Sequence, residues 1–338
     1  MDKQEIVIGL DAMGGDNAPF PAIKACQMFS PADGIKIILV GDSKKIKGKI
    51  DLAKYPFVVL QDCEKHINMH DKVNLRLLKE RDNSMVNTIT VMKEGGAHCA
   101  LSAGNTAAFV SYGISELGLI PGIERPAIAL SMPSLTGLNT IFLDAGANVK
   151  AKPVHLLQSA YMGSRYAGVV FGIKEPRVAL LNIGEEEGKG DDLRKTAFEL
   201  IKKNKMINFT GNIEGQELFT GRADVVLTDG FTGNVMLKVI EGVTRSFRTI
   251  LTKEIRKSVS GKIGALLLKE ALKNFAKKGD YAEYGGGLLL GVNGIVIVSH
   301  GRSSPRALYS AIKLGKKIAA SGFFDELKNN LEAIEWEA

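Results

Sequence analysis

Cysteine is scarce in this 338-residue chain, and long apolar runs are absent. Its three cysteines, Cys26, Cys63 and Cys99, are widely spaced and form no C-x-x-C pair. This usage argues against a structural zinc site and indicates a reducing cytoplasm. No apolar run approaches the roughly 18 residues needed to cross a bilayer, and no basic region precedes an apolar core at the N-terminus. We therefore expect neither a membrane-spanning helix nor a secretory signal.

Sequence motifs of several large enzyme classes are also missing. The chain has neither a G-x-G-x-x-G dinucleotide fingerprint nor a G-x-S-x-G nucleophile elbow. Its closest approach to a P-loop has three residues rather than four between Gly184 and Gly188-Lys189, and Gly190 stands where Ser or Thr would bind magnesium. A kinase or ATPase is therefore excluded. The pair of histidines at 66 and 70 lacks the glutamate of a zinc-protease helix, so we expect loop histidines and no metal.

Apolar segments of strand length alternate with helical patterns along nearly the whole chain. This alternation is typical of a mostly parallel sheet covered by helices. We predict an α/β fold with three α/β/α layers, and we treat residues 1–338 as a single domain. The predicted strands lie at 5–10, 35–40, 57–60, 99–102, 139–144, 177–182, 224–228 and 294–299.

The stretch at residues 8–19, IGLDAMGGDNAP, joins the first predicted strand to the first predicted helix. Gly14 and Gly15 allow the backbone to direct several N–H groups toward one point at a helix N-terminus, which suits an anion such as phosphate. Asp11 and Asp16 would repel phosphate, so we expect them to orient the loop, bind a hydroxyl group or hold a metal. The alternative is a plain turn in which an Asp or Asn side chain only caps the helix.

Five predicted strands end in the same chemistry, with small residues, Asp or Asn, and a following helix. Ligands collect at the carboxyl ends of strands in open α/β sheets. We therefore predict one shared crevice for a polar, anionic ligand. At the strand end after residues 99–102, the alternative is that Asn105 or Thr106 only caps the following helix. The candidate phosphate- and substrate-binding residues are Asp11, Gly14, Gly15, Asp16, Asn17, Ser102, Gly104, Thr106, Asp144, Asn148, Asn182, Gly184, Asp229, Gly230, Thr232, Gly233 and Asn234.

Three residues are candidate catalytic groups. Lys189 is a candidate partner for phosphate or an oxyanion, and the alternative is that it balances the glutamates at 185–187 on a solvated loop. Asn105 would orient phosphate. His300 is the only histidine beside a predicted strand end, so it is the candidate for proton transfer, and Arg302 could also contact an anion.

The net charge of +7 is concentrated in one segment, because residues 245–278 contain ten Lys or Arg and two Glu. We predict a helical protrusion at about 245–280, with one basic amphipathic helix at 261–278. Such a helix suits a surface of anionic lipids, and the alternative is a core or dimer interface with a solvated lysine face. The same charge could dock an acidic carrier protein, whereas nucleic acid is disfavoured. The predicted membrane contacts are Ile263, Leu266, Leu267, Leu268 and Leu272.

The ordered motifs of the chain resemble those of the bacterial acyl-carrier-protein:phosphate acyltransferases of phospholipid synthesis. The resemblance runs over essentially the full length. It is carried by DAMGGD at 11–16, SAGNT at 102–106, LDAGAN at 143–148, LNIG at 181–184, GNIE at 211–214, TDGFTGN at 228–234 and His300-Gly301.

This resemblance implies transfer of a long-chain acyl group from acyl-[acyl-carrier protein] to inorganic phosphate, which gives acyl phosphate. It implies a fold similar to phosphotransacetylase and isopropylmalate dehydrogenase, a homodimer, and peripheral attachment of this cytoplasmic protein to the inner membrane surface. The product would pass to a membrane glycerol-3-phosphate acyltransferase. We expect direct attack of phosphate on the thioester, and neither a cofactor nor a metal.

Two other classes remain as alternatives. A nicotinamide-dependent decarboxylating dehydrogenase shares the implied fold, but it would need metal-binding aspartates at set positions. A non-enzymatic membrane scaffold would keep the basic helix and have no use for the polar strand ends.

Overall fold

The structure, a computed structural model, describes residues 5–137, 139–278, 285–332 and 336. The strands are β1 (Ile6–Asp11), β2 (Ile35–Gly41), β3 (Val58–Asp62), β4 (Cys99–Ser102), β5 (Ala127–Pro133), β6 (Asn139–Leu143), β7 (Arg177–Asn182), β8 (Asn208–Glu214), β9 (Val225–Leu227), β10 (Gly287–Leu290) and β11 (Val296–Val298). The helices are α1 (Phe20–Cys26), α2 (Ser43–Ile46), α3 (Leu75–Leu78), α4 (Ser84–Lys93), α5 (Thr106–Leu117), α6 (Pro153–Phe171), α7 (Asp192–Lys203), α8 (Gly230–Arg256), α9 (Val259–Leu267), α10 (Lys269–Lys278), α11 (Pro305–Ala320) and α12 (Phe323–Glu332).

The strands form one sheet of 11 strands in the order β3-β2-β1-β4-β11-β10-β5-β6-β9-β7-β8. Strand β10 is antiparallel to both of its neighbours, and β5 is antiparallel to β6. All the other neighbouring strands are parallel. The predicted α/β fold with a mostly parallel sheet is confirmed.

The sheet is covered on both faces, which explains why its central strands are continuous apolar runs. Every residue of β4, β9 and β11 is buried. One core contains Ile23 of α1, Leu157 of α6 and Ile312 of α11, and the other contains Ile89 of α4 and Phe109 of α5. Because two separate cores lie on the two faces of one sheet, the molecule has the predicted three layers.

The strand directions divide the strand ends into two groups. Strands β1, β4 and β11 are parallel to one another, and their carboxyl ends form what we call the first edge. Three successive antiparallel pairings, β11–β10, β10–β5 and β5–β6, make β6, β9 and β7 run in the opposite direction, and the carboxyl ends of these three strands form the second edge. Four strand spacings separate β4 from β6, which is about 19 Å. The prediction of one crevice shared by all five strand ends is therefore wrong within this chain.

The basic segment is two helices where one was predicted. Helix α9 ends at Leu267, and Leu268 is its C-cap, so the lysines of α9 and α10 do not share one continuous face. Residues 242–250 of the preceding helix α8 are all exposed, as a protruding helix requires. Residues 279–280 of the predicted protrusion, and the side chains of 274–278, lie outside the described part. Within the described ranges, no helix has the length and apolar character that crossing a bilayer demands.

Candidate active site

A buried chain of hydrogen bonds joins two turns at the first edge. Asp11 accepts a hydrogen bond from Ser102 Oγ at 2.6 Å and another from the Met13 N–H at 3.0 Å. Ser102 Oγ in turn accepts the Gly104 N–H at 3.0 Å. Both side chains are almost completely buried, and burial raises the pKa of Asp11 although the bond from Ser102 opposes this. Their polar atoms bond within the protein, so Asp11 and Ser102 hold the turns in place.

The closeness of these two turns explains the glycine at position 14. A Cβ there would lie 2.6 Å from the Gly104 nitrogen and 2.8 Å from both Asp11 Oδ2 and Ser102 Oγ. The nitrogen belongs to the backbone and the two oxygens are fixed by hydrogen bonds, so none of the three can move away cheaply. Gly14 is therefore needed for the two turns to meet.

A third segment, after β11, completes the first edge. Gly15 has φ of +103°, in the region that favours glycine, and the next residue, Asp16, donates its N–H to the Gly301 carbonyl at 2.8 Å. The side chains of Asp16, Asn17 and Arg302 are exposed. Arg302 Nε lies 3.8 Å from Asp16 Oδ2. This edge therefore presents a guanidinium group to solvent beside the glycine turn.

Asn105 is the N-cap of α5, and its amide is fully used by the protein. Its Oδ1 accepts the Ala108 N–H at 3.2 Å, and its Nδ2 donates to the carbonyls of Met69 and Asp71 at 3.2 and 3.0 Å. These bonds hold the irregular segment 63–74 beside the first edge. Asn105, the residue expected to orient phosphate, thus fixes the start of α5 and this segment, and both of its amide N–H groups are engaged within the protein.

His300 lies at the first edge with both ring nitrogens near defined partners. Nδ1 accepts the Arg302 N–H at 3.1 Å, and Nε2 lies 3.5 Å from Glu241 Oε1 on α8. Burial lowers the pKa of His300, so the imidazole is neutral near pH 7 with its proton on Nε2. Thr106, the first residue of α5, is exposed and leaves the N-terminal end of that helix accessible next to this edge.

At the second edge, the Asp144 carboxylate organises the turn after β6. It accepts four backbone N–H groups at 2.7–3.0 Å, from Ile128, Gly146, Ala147 and Asn148. Burial raises the pKa of Asp144, and these hydrogen bonds oppose the rise. Asn148 Nδ2 lies 3.1 Å from His155 Nδ1, and His155 Nε2 lies 3.0 Å from Glu124 Oε2. Asp144 is thus a buried support of the turn.

The turn after β9 begins α8 and packs on the Asp144 turn. Asp229 caps α8 by accepting the Thr232 N–H at 2.9 Å, and Arg194 donates to its Oδ2 at 2.5 Å. Burial opposes ionisation of Asp229, but the hydrogen bonds from Thr232 and the charge of Arg194 outweigh it and lower its pKa. A Cβ on Gly230 would lie 2.7 Å from Asp144 Oδ2, and one on Gly233 would overlap the Asp144 carbonyl. These glycines allow the two turns to touch.

The loop after β7 contains the candidate lysine. The buried Asn182 donates to the Lys189 carbonyl at 3.0 Å, and Gly184 is also buried. Lys189 itself is exposed, with Nζ 4.0 Å from Glu186 Oε2. Glu185 and Glu187 pair with other cations, Arg222 at 2.8 Å and Lys202 at 2.7 Å.

The structure brings together some of the predicted residues and separates others. Asn105 and His300 lie at the first edge, whereas Lys189 lies at the second edge. The other candidates at the first edge are Gly14, Gly15, Asp16, Asn17, Gly104 and Thr106. Those at the second edge are Asp144, Asn148, Asn182, Gly184, Asp229, Gly230, Thr232, Gly233 and Asn234. The three candidate catalytic residues therefore do not meet in one chain. Three supporting features were not predicted from the sequence, because each is distant in sequence from the motif it supports: Arg194, Glu241 and the segment 63–74.

Metal binding and thiol chemistry would depend on the acidic, histidine and cysteine side chains. Among the described residues, no group of three or more His, Cys, Asp or Glu side chains could hold a metal ion. All three cysteines are buried, and burial raises the pKa of each thiol. Their thiolate forms are therefore suppressed at neutral pH.

Comparisons with solved structures place the fold. The chain is similar to a phosphotransacetylase from Streptococcus pyogenes, with a TM-score of 0.60, 16% sequence identity, and coverage of 94% of this chain and 93% of the other. It is also similar to EutD phosphotransacetylase from Staphylococcus aureus, with a TM-score of 0.58, 17% identity and 94% of both chains covered. A putative 4-hydroxythreonine-4-phosphate dehydrogenase from Salmonella typhimurium has a TM-score of 0.52, 12% identity, and coverage of 94% and 100%. At these identities the likeness concerns the fold alone.

Sequence comparisons give the family. A relative from Thermodesulfovibrio yellowstonii, named phosphate acyltransferase, is 42% identical over 330 residues, which cover 97% of this chain and 95% of the relative. Phosphate acyltransferases from Dictyoglomus turgidum and Staphylococcus aureus are 44% and 40% identical, with 92% and 96% of this chain covered and 93% and 98% of theirs. The family model described as "Fatty acid synthesis protein" matches residues 6–326. The chain therefore belongs to this fatty acid synthesis protein family and, with its curated relatives, to the phosphate acyltransferases, which are enzymes of the acyltransferase class.

Proposed function

We propose that the protein transfers a long-chain acyl group from acyl-[acyl-carrier protein] to inorganic phosphate. A phosphate oxygen attacks the thioester carbonyl carbon, the C–S bond breaks, and the carrier thiolate takes a proton to become the free thiol. Phosphate is partly dianionic near neutral pH, since its second pKa resembles that of a phosphate ester. It needs positioning against the carbonyl more than it needs a strong base. The product, acyl phosphate, would serve phosphatidic acid synthesis.

The observation that carries this proposal is the geometry of the first edge. The Gly14–Gly15 turn, the accessible start of α5 at Thr106, and the exposed Arg302 lie around one small region beside His300. Backbone N–H groups and a guanidinium suit a phosphate anion. The His300 Nε2–H can assist proton transfer to the leaving sulfur. Asp11, Ser102 and Asn105 hold these groups in place from behind.

Direct attack is favoured over a covalent acyl-enzyme. The first-edge serine, Ser102, donates its hydroxyl proton to a buried carboxylate and accepts a backbone N–H, and the cysteines are buried. Ser102 is almost completely buried, so neither its hydroxyl nor a cysteine thiol can reach the thioester carbonyl carbon.

Because Lys189 and His300 lie at different edges, we assign each of them a different anionic ligand. His300 serves the attacking phosphate, and Lys189 holds an anionic group of the acyl donor. Lys189→Ala should lower turnover at subsaturating donor at least tenfold and leave the fold intact, because its side chain is exposed and packs in no core. Lys205→Ala is the matched control, since this residue is also exposed and lies just beyond the carboxyl end of α7. Equal turnover of the two variants would remove Lys189 from the proposal.

The proposed assembly is a homodimer, and the support comes from α8. Five apolar side chains on this helix, each 48–63% exposed, follow one another at intervals of four or three residues: Val235, Val239, Val243, Phe247 and Ile250. This row, which we call the α8 stripe, is about 22 Å long at 1.5 Å per residue. Exposed apolar rows of this size mark contact surfaces.

Peripheral attachment to the inner membrane surface is proposed through α9. Ile263, Leu266, Leu267 and Leu268 are 55–81% exposed, whereas the fifth predicted contact, Leu272, is half-buried. Lysines flank this surface, and they suit anionic lipids and an acidic carrier protein. Such placement in the cytoplasm would deliver acyl phosphate to a membrane glycerol-3-phosphate acyltransferase.

The test of the reaction is thiol release from palmitoyl-[acyl-carrier protein] with and without inorganic phosphate, with hydroxylamine present to trap acyl phosphate. Release that depends on phosphate and yields a hydroxamate is the expected result. Release without phosphate would identify a thioesterase and overturn the proposal. Absence of release with every chain length would also overturn it.

A further inference from the structure

The orientation of His300 is fixed on one side by its own turn. Nδ1 accepts the Arg302 N–H at 3.1 Å, so the neutral ring must carry its proton on Nε2. That nitrogen is the one through which His300 could act on a ligand. Its position therefore depends on what lies on the Nε2 side of the ring.

The Nε2 side of the ring faces the middle of α8. Glu241 Oε1 lies 3.5 Å from His300 Nε2, and the Glu241 side chain is only 15% exposed. Lys238, almost one turn earlier on the same helix, holds both carboxylate oxygens of Glu241, with Nζ at 3.4 and 3.3 Å. An oriented, mostly buried carboxylate thus faces the ring N–H.

Four charged groups influence the ionisation of His300. Glu241 and Lys238 lie on α8, Arg302 lies on its own turn, and Asp16 lies on the turn after β1. Burial is the largest influence and lowers the pKa of His300, whereas the nearby Glu241 charge raises it. The carboxylate therefore partly offsets the effect of burial.

We propose that Glu241 is a positioning residue for His300: its carboxylate, 3.5 Å from Nε2, attracts the Nε2–H and so orients the ring and its tautomer, leaves that proton within reach of a ligand, and is itself held by Lys238. Helix α8 begins at the second edge, where Asp229 caps it. The contact between Glu241 and His300 therefore also sets the position of this helix against the first edge. The contact itself is independent of the reaction, and only its effect on turnover rests on the proposed function.

The decisive measurement is an NMR titration of the His300 ring in the full chain, with the resonance assigned by its absence in His300→Gln. Glu241→Gln keeps the shape and removes the charge. It should move the His300 titration midpoint to lower pH by about one pH unit, because the neighbouring anion that favours the imidazolium is gone. Glu254→Gln is the matched control, since Glu254 lies on the same helix and pairs with Lys257 at 2.7 Å. It should leave the midpoint unchanged.

The kinetic arm tests positioning. With phosphate-dependent release as the assay, Glu241→Gln should lower kcat roughly tenfold with little change in KM for phosphate, and the acid limb of the pH profile should move in the same direction as the NMR midpoint. An unchanged midpoint in Glu241→Gln, or the same change in Glu254→Gln, overturns the assignment. Loss of activity in all proteins, the wild type included, overturns the proposed function, while the NMR result still decides the contact.

Discussion

At the scale of residues, the structure separates polar side chains that support the edges from those that can reach a ligand. Three side chains support the edges by accepting hydrogen bonds from backbone N–H groups: Asp11, Asp144 and Asn105. Asp11 and Asp144 are also buried. Replacing such a group leaves a buried partner unsatisfied, at about 1–3 kcal/mol for each. Arg302, Thr106 and Lys189 are exposed, so their replacement should affect the ligand more than stability.

Gly14 offers a sharp test of the first edge. Gly14→Ala should destabilise the fold by about 1–3 kcal/mol and abolish phosphate-dependent release, because the added methyl group overlaps the Gly104 nitrogen and the two oxygens beside it. Gly188→Ala is the control, since nothing lies within 4 Å of its Cβ position. Denaturant unfolding gives the stability change and thiol release gives the activity. A Gly14→Ala protein as stable and active as the control would show that the two turns need not touch.

At the scale of elements, periodicity predicted some features and missed others. The strands at 99–102 and 177–182 and the helix beginning at Ser84 are confirmed, because apolar runs and glycine turns bound them clearly. Strands β5, β8 and β10 were not predicted. The sequence of β10, GLLL, is too short to reveal its direction. Because β10 is antiparallel to both of its neighbours, β5 runs in the direction of β11. The antiparallel pairing of β5 with β6 is what moves the carboxyl ends of β6, β9 and β7 to the other edge of the sheet.

The prediction at the scale of elements concerns binding of helix α9 to anionic lipid. Leu267→Glu should reduce sedimentation with vesicles that contain anionic lipid at least tenfold, because the side chain is 81% exposed and a charge there opposes insertion into the interface. Leu135→Glu places the same charge at an 86% exposed leucine outside the helix and should bind vesicles as the wild type does. Equal binding by both variants would show that α9 does not meet lipid.

At the scale of the whole molecule, sequence motifs identified which turns matter but not how they are arranged. Local patterns specify a turn, whereas the side of the sheet at which it lies depends on the direction of strands far away in sequence. The pairing of Phe142 with Leu130 is antiparallel, and it decides that Asp144 and Asp11 lie at opposite edges. Helix α8 is the element that spans this distance, since its cap belongs to the second edge and its Glu241 approaches His300.

The same helix provides the test of the proposed homodimer. The side chains of the α8 stripe are mostly four residues apart in sequence. Two helices that pack through rows of this spacing cross at an interaxial angle of about −50°. Val243→Glu puts a charge in the middle of the stripe, so if the proposed dimer forms there, this variant should sediment as a monomer in analytical ultracentrifugation whereas the wild type sediments as a dimer. Thr244→Glu is exposed on the same helix, but about 100° around it from Val243, and should remain dimeric. A dimeric Val243→Glu protein, or a wild type that sediments as a monomer, would exclude the stripe as the interface between two copies of the chain.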